Sequence, residues 1–232
     1  MYIVSYIMNW TVVILAIIVI MLVYVLYVYF VSQASILAKS ASLMSGDNQP
    51  ITTINSGQST RYSYGIWVYV NTWNTTSTKV IFSRAGNIKL YLAPDKPSLY
   101  CDLTCMNSNG QAGNTQTILI TDNFAIQKWV YVVVSSDNTI VDCYLDGKLV
   151  NSTKLTNSPA VPALATPVLL GSGWDCYIAG FKNTANPVGP QQVWDDYMSG
   201  TGSAVSNFFS AYSLNFSVDK NNVQQSSYTM NL

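Results

Sequence analysis

The chain has 232 residues, carries 11 Lys and Arg against 11 Asp and Glu for a formal net charge of zero, and is only 9% charged. It contains no His and every acid is Asp, which excludes a Ser-His-Asp triad, a His general base and His-ligated zinc, and removes paired-Glu glycosidase chemistry unless two Asp residues replace it. A non-enzymatic protein with no cofactor and no metal is expected, and a surface without net positive charge does not suit nucleic acid.

Nothing carries a side-chain charge from Met1 to Ala38, and Trp10 to Val31 is almost unbroken Val, Ile, Leu and Tyr. At about 1.5 Å per residue, a helix over 10–31 reaches roughly 33 Å, close to the ~30 Å hydrocarbon thickness of a bilayer. After a short N-terminal segment, 1–9, the sequence therefore predicts one transmembrane α-helix with the lipid bilayer as partner. Tyr2, Tyr6 and Trp10 at one end, and Tyr24, Tyr27, Tyr29 and Phe30 towards the other, suit the two headgroup layers. A cleaved secretory signal is the alternative. It fits less well because the start has no Lys or Arg and the run is too long, although Ala34, Ala38 and Ala41 follow it. Lys39, the only nearby cation, favours a cytosolic C-terminal side. From Ser32 to Thr60 the composition turns to Ser, Ala, Gln, Asn and Gly without a sustained period, which reads as a stalk or arm, 32–60.

Short β-rich runs separated by turn residues then occupy 61–198, enough for one two-sheet core. Ile66, Val68 and Val70 alternate with Trp67, Tyr69 and Asn71; Val80-Ile81-Phe82 makes a second strand; and Ile88, Leu90 and Leu92 alternate with Lys89 and Tyr91. Further strands are expected at Leu99 to Cys105, Thr117 to Ile120, Lys128 to Val134 and Thr139 to Leu145. Asp146-Gly147 then signals a two-residue hairpin into Lys148-Leu149-Val150. Val168 to Gly171 and Tyr177 to Phe181 supply the last core strands. Pro190 opens a short helix with Val193/Tyr197 and Trp194/Met198 as i,i+4 pairs.

The succession Gly65-Ile66-Trp67-Val68-Tyr69-Val70, Val80 to Arg84, Gln127-Lys128-Trp129-Val130, Asp142-Cys143-Tyr144-Leu145-Asp146-Gly147-Lys148-Leu149-Val150 and Tyr177-Ile178-Ala179-Gly180-Phe181 resembles the concanavalin A-like, laminin-G-like jelly roll over about Tyr62 to Tyr197. The resemblance implies an all-β, two-sheet antiparallel sandwich. The catalytic Glu-x-Asp-x-x-Glu strand of the enzyme members has no counterpart here. Among members, the chain looks most like membrane-anchored minor capsid proteins of large icosahedral double-stranded DNA viruses, with a virion internal membrane and other capsid or membrane proteins as implied partners. The alternative is a membrane-anchored carbohydrate-binding module in which aromatics such as Trp67, Tyr69, Trp73 or Trp174 stack on a glycan. Lectin and laminin-G members often hold calcium near the rim, and Asp102, Asp122, Asp137 and Asp175 lie near predicted strand ends. Isolated Asp beside Asn or Ser is, however, ordinary turn chemistry.

Cys101, Cys105, Cys143 and Cys176 all fall in phase with core positions. They read either as buried free thiols or as one or two disulfides joining Cys143 or Cys176 to Cys101 or Cys105; Cys101 and Cys105, about 13 Å apart in one strand, cannot bond to each other. Asn74, Asn151 and Asn215 open N-glycosylation acceptor triplets. In the tail, 199–232, Tyr212, Leu214, Phe216 and Val218 alternate with polar residues, predicting a strand over 212–218 that closes the domain's own sheet or adds to a neighbouring subunit.

Overall fold

The computed structural model describes residues 13–24, 36–54, 58–201, 213–220 and 223–231. The chain divides into two units, Met1–Ile36 and Leu37–Leu232. In the first, residues 13–24 form helix α1, about 18 Å long at 1.5 Å per residue. No helix among the described residues is long and apolar enough to cross a membrane. The rest of the predicted 10–31 span, and the segment 1–9, lie outside the described residues.

The second unit is an antiparallel two-sheet sandwich. Its strands are β1 (Ile36–Ser42), β2 (Arg61–Val70), β3 (Lys79–Arg84), β4 (Ile88–Leu92), β5 (Leu99–Met106), β6 (Ala112–Thr121), β7 (Trp129–Asp137), β8 (Ile140–Leu145), β9 (Lys148–Lys154), β10 (Val168–Leu170) and β11 (Cys176–Thr184). The six-stranded sheet runs β1-β11-β2-β7-β8-β9 and the five-stranded sheet β10-β3-β4-β5-β6. Sequence alternation explains most of these elements. In β5 every second residue, Leu99, Cys101, Leu103 and Cys105, is buried, and the intervening ones are half-exposed. A bulge between Val80 and Phe82 turns both Ile81 and Phe82 into the core. At the β8–β9 turn Asp146 and Gly147 both take positive φ, 46° and 80°, as a type I′ hairpin requires.

The run Trp129 to Val134 does not alternate because β7 is covered on both faces. Val130, Val132 and Val134 join the inter-sheet core, while Tyr131 and Val133 join a second cluster with Trp67, Tyr144 and Val193. Val193 comes from helix α2 (Pro190–Met198), which lies across the outer face of the six-stranded sheet. Asp196 of α2 pairs with Lys182 and accepts from the Tyr131 hydroxyl at 3.5 Å. A Cβ on Gly65 would stand 2.6 Å from that hydroxyl, and one on Gly147 2.7 Å from the Trp194 ring, so both glycines give the helix its seat.

The segment read as a stalk is built into the sandwich. β1 adds the edge strand beside β11, Leu43 is fully buried in the core, and Ile51 exchanges backbone hydrogen bonds of 2.9 Å with Val168. The Leu43 amide donates to the Cys176 carbonyl and the Trp174 amide to the Leu43 carbonyl, so β1 runs antiparallel to β11 and begins towards Thr184. That proximal end also holds Ser63 opposite Thr184, and Asn87, whose Nδ2 donates to Tyr62 and to the Ala160 carbonyl. The distal end holds Val70, Trp73, Lys79, Trp174 and the start of β7.

The tail forms a separate hairpin of β12 (Ser213–Lys220) and β13 (Val223–Asn231), with Leu214, Phe216 and Val218 opposite Met230, Tyr228 and Ser226. The predicted strand therefore pairs with a second strand of the tail rather than with the sandwich, and Tyr212 lies outside the described residues.

Replacing Leu43 by Ala removes a core side chain from the supposed arm. Urea denaturation of L43A is expected to show a stability loss of about 2–4 kcal/mol; a loss under about 0.5 kcal/mol, the range of an ordinary surface change, would place Leu43 outside the core.

Candidate functional site

Two cross-strand rows cross the outer face of the five-stranded sheet. Val80, Tyr91 and Tyr100 lie in register, continued by Leu119; beside them run Ser83, Lys89, Asp102 and Thr117. The alternation that buries Leu90, Leu92, Leu99 and Cys101 aims these residues outward. Tyr91 and Tyr100 stack with centroids 5.7 Å apart and planes 21° apart, Lys89 Nζ stands 4.8 Å above the Tyr91 ring, and Leu119 is exposed. Asp102 Oδ1 accepts from Thr117 Oγ1 at 2.7 Å and from the Tyr91 hydroxyl at 3.2 Å. Burial, and then the negative charge of Asp102, raise the Tyr91 phenol above its ordinary range, so it remains a donor at neutral pH. The result is a stacking platform beside a carboxylate acceptor, an ammonium donor and a hydroxyl.

The predicted stacking tryptophans are placed otherwise. Trp174 is 5% exposed, and its indole donates to the Val80 carbonyl at 2.9 Å, so it is a core residue. Trp67 is buried beneath α2, stacked on Tyr131 and Tyr197. Trp73 is half-buried, and Lys79 Nζ sits 4.3 Å from its ring centroid, covering one ring face. Tyr69 stays accessible in a second group with Trp129 and the 42% exposed Tyr177, but its ring neighbours are tilted by 50° and 55°.

The four Asp residues considered for calcium are separated. Asp102 lies mid-sheet, Asp137 pairs with Arg61 at 2.9 Å, and Asp175 Oδ2 accepts from Asn71 and Thr72. Asp122 is exposed, and its carbonyl accepts from the Ser98 hydroxyl. Among the described residues no group of three or more His, Cys, Asp or Glu could hold a metal ion. Of the acceptor triplets, Asn74 is exposed, Asn151 donates its amide to the Leu119 carbonyl, and Asn215 lies in β12.

All four cysteines face the core, as their phase predicts, and all are free thiols; no disulfide joins them. Burial raises the Cys101, Cys105 and Cys176 thiols and pushes Cys143 up to about 12.

A family model for the concanavalin A-like lectin/glucanases superfamily matches residues 44–182, beginning inside the segment that the sequence suggested was a stalk. No curated protein matches the chain. Among solved structures it is similar to the botulinum neurotoxin serotype D binding domain, at 16% identity and TM-score 0.56 over 70% of this chain and 43% of that one. It is also similar to the serotype D ligand binding domain in complex with N-acetylneuraminic acid, at 15% identity and TM-score 0.54 over 71% and 43%. A third is the binding domain of botulinum neurotoxin DC in complex with rat synaptotagmin II, at 17% identity and TM-score 0.52 over 69% and 42%. At these identities the likeness is one of fold, and the chain spans less than half the length of these domains. All three are toxin binding domains, none a virion protein.

The thiols yield a pH test. Their raised folded-state pKa values favour the protonated form, so their contribution to stability is complete below the unfolded thiol's value near pH 8.5 and is lost as pH rises towards about 12 for Cys143. Native protein is expected to show no thiol reactive to Ellman's reagent at pH 8 and four in denaturant, with unfolding free energy falling above about pH 9. Fewer than four in denaturant would reveal a disulfide.

Proposed function

The chain belongs to the concanavalin A-like lectin/glucanases superfamily, and from that premise we propose that it is a non-enzymatic, glycan-binding module tethered to a membrane. The observation that carries the reading is the platform of Tyr91 and Tyr100 beside Lys89, Asp102 and Thr117. A sugar ring has apolar C–H faces and a hydroxyl rim. The tyrosine row takes the face, Asp102 accepts from ring hydroxyls, and Lys89 and Thr117 supply donors. A similar fold is known in complex with N-acetylneuraminic acid, which supports a glycan as the ligand class. With no His, no Glu and no counterpart of the family's acidic catalytic strand, the same face serves binding rather than hydrolysis.

The tether is the apolar run over 10–31. Within it α1 is apolar on every face, and the large side chains from Ile14 to Tyr24 are more than half exposed, which suits lipid better than water. This reading is a single-pass anchor.

One observation favours a second reading, a virion component linking an internal membrane to a capsid shell. The β12–β13 hairpin makes its own two-stranded sheet, an element suited to docking on a neighbouring subunit. Reproducible cross-links from Lys220 to a shell protein in native particles would carry that reading.

Full-length protein in lipid nanodiscs, applied to a glycan array that includes sialylated structures, is expected to bind a defined subset. Y100A should weaken that binding roughly tenfold, about 1.4 kcal/mol, while Y177A on the other sheet leaves it unchanged. Failure to bind any glycan would remove the proposal.

A further inference from the structure

A second aromatic row lies on the outside of the six-stranded sheet, beside α2 rather than beneath it. Tyr177 of β11, Tyr69 of β2 and Trp129 of β7 stand in register across three neighbouring strands. Tyr177 is 42% exposed, and the other two are half-buried. On β2, Tyr69 is the next outward position after Trp67, about 7 Å along the strand. Tyr197 of α2 stacks on Trp67, so the helix walls one side of the row. On the other side Asn71, Asp175 and Gln127 bond among themselves, Asn71 donating to Asp175 and Gln127 Nε2 to the Asn71 carbonyl. The row is the floor of a groove that crosses the strands.

The hydrogen bonding of this groove is one-sided. Nothing among the described residues accepts from the Trp129 indole N–H or from the Tyr69 and Tyr177 hydroxyls. The neighbouring carboxylates are spent: Asp175 Oδ2 accepts from Asn71 and Thr72 while its Oδ1 is buried, and Asp146 is taken by Lys128 and the Tyr131 amide. Three aromatic donors therefore stand in line with no carboxylate to accept beside them. The Tyr69 ring is tilted by 50° from Trp129 and by 55° from Tyr177, which makes notches rather than the flat surface that a sugar face needs.

A ligand that answers this pattern is rich in acceptors, poor in donors and carries compact apolar rings. A proline-rich segment in the polyproline II conformation has these properties, because its carbonyls make no internal hydrogen bond and proline has no N–H. The spacing agrees as well. Two inter-strand steps set Tyr177 and Trp129 about 9.6 Å apart, and one three-residue turn of polyproline II advances about 9.3 Å. We infer that this groove is a peptide-docking site, separate from the Tyr91–Tyr100 platform, that takes a Pro-x-x-Pro segment of a partner protein. The two prolines pack against Tyr177 and Trp129, and a carbonyl between them accepts from the Tyr69 hydroxyl. The module then holds two ligands of different chemistry on opposite outer faces, and neither displaces the other.

The test is fluorescence anisotropy of labelled decapeptides with Pro-x-x-Pro cores, each matched by an Ala-x-x-Ala counterpart and titrated with full-length protein. At least one Pro-x-x-Pro peptide is expected to bind, with its counterpart roughly tenfold weaker. Y177F deletes only an exposed hydroxyl and should weaken that peptide roughly threefold. Y69A should weaken it roughly tenfold in protein whose near-UV circular dichroism is unchanged, while Y100A leaves peptide binding as it was. No binding by any peptide of the panel, equal binding of the Ala-x-x-Ala counterparts, or full affinity in Y177F would overturn the inference. Displacement of the peptide by a pool of released glycans would also overturn it, giving the groove to sugar.

Discussion

A two-sheet sandwich has four faces, and in this chain two of them are buried and a third is partly covered. The two inner faces meet in the core through residues such as Val68, Val132, Leu90 and Cys101. Part of the third, the outside of the six-stranded sheet, lies beneath α2, where Trp67, Tyr131 and Val193 pack together and Asp196 holds Lys182 and Tyr131. Only the outside of the five-stranded sheet has no covering element among the described residues. That face carries the stacked tyrosines Tyr91 and Tyr100 with no element over them, and this is the reason it is proposed as the ligand surface.

The ends of the sandwich are as unequal as its faces. β1 and the strap through Leu43 and Ile51 bind the N-terminal side of the domain along one edge, with β1 beginning at the end that holds Ser63 and Thr184. At that end the exposed side chains include uncharged apolar loop residues; towards the other lie Tyr91, Tyr100 and the aromatic group around Tyr69.

Much of the fold was legible because the period-2 signal is strong wherever one face is buried: β2, β4, β5 and the Asp146-Gly147 hairpin all follow it. β1 escaped because Ile-Leu-Ala-Lys-Ser-Ala-Ser has only one β-branched residue and an outward lysine, features of an edge strand that also describe a flexible arm. Trp174 looked like a rim residue among Gly171, Ser172 and Gly173. Gly171 instead allows close approach: a Cβ there would fall 1.8 Å from the Val80 carbonyl, the same carbonyl that accepts the Trp174 indole. The platform was illegible for a different reason. Tyr91 and Lys89 read as outward-facing, but their meeting with Tyr100 and Asp102 depends on the β4–β5 register, which no single strand encodes.

The central claim is that the uncovered face of the five-stranded sheet takes the ligand. Hydroxyl-radical footprinting of full-length protein, with and without a pool of released cell-surface glycans, tests it most directly. Oxidation of Tyr91 and Tyr100 should fall when glycan is present while that of Tyr177 stays unchanged. Protection of Tyr177 with none at Tyr91 and Tyr100 would contradict the account.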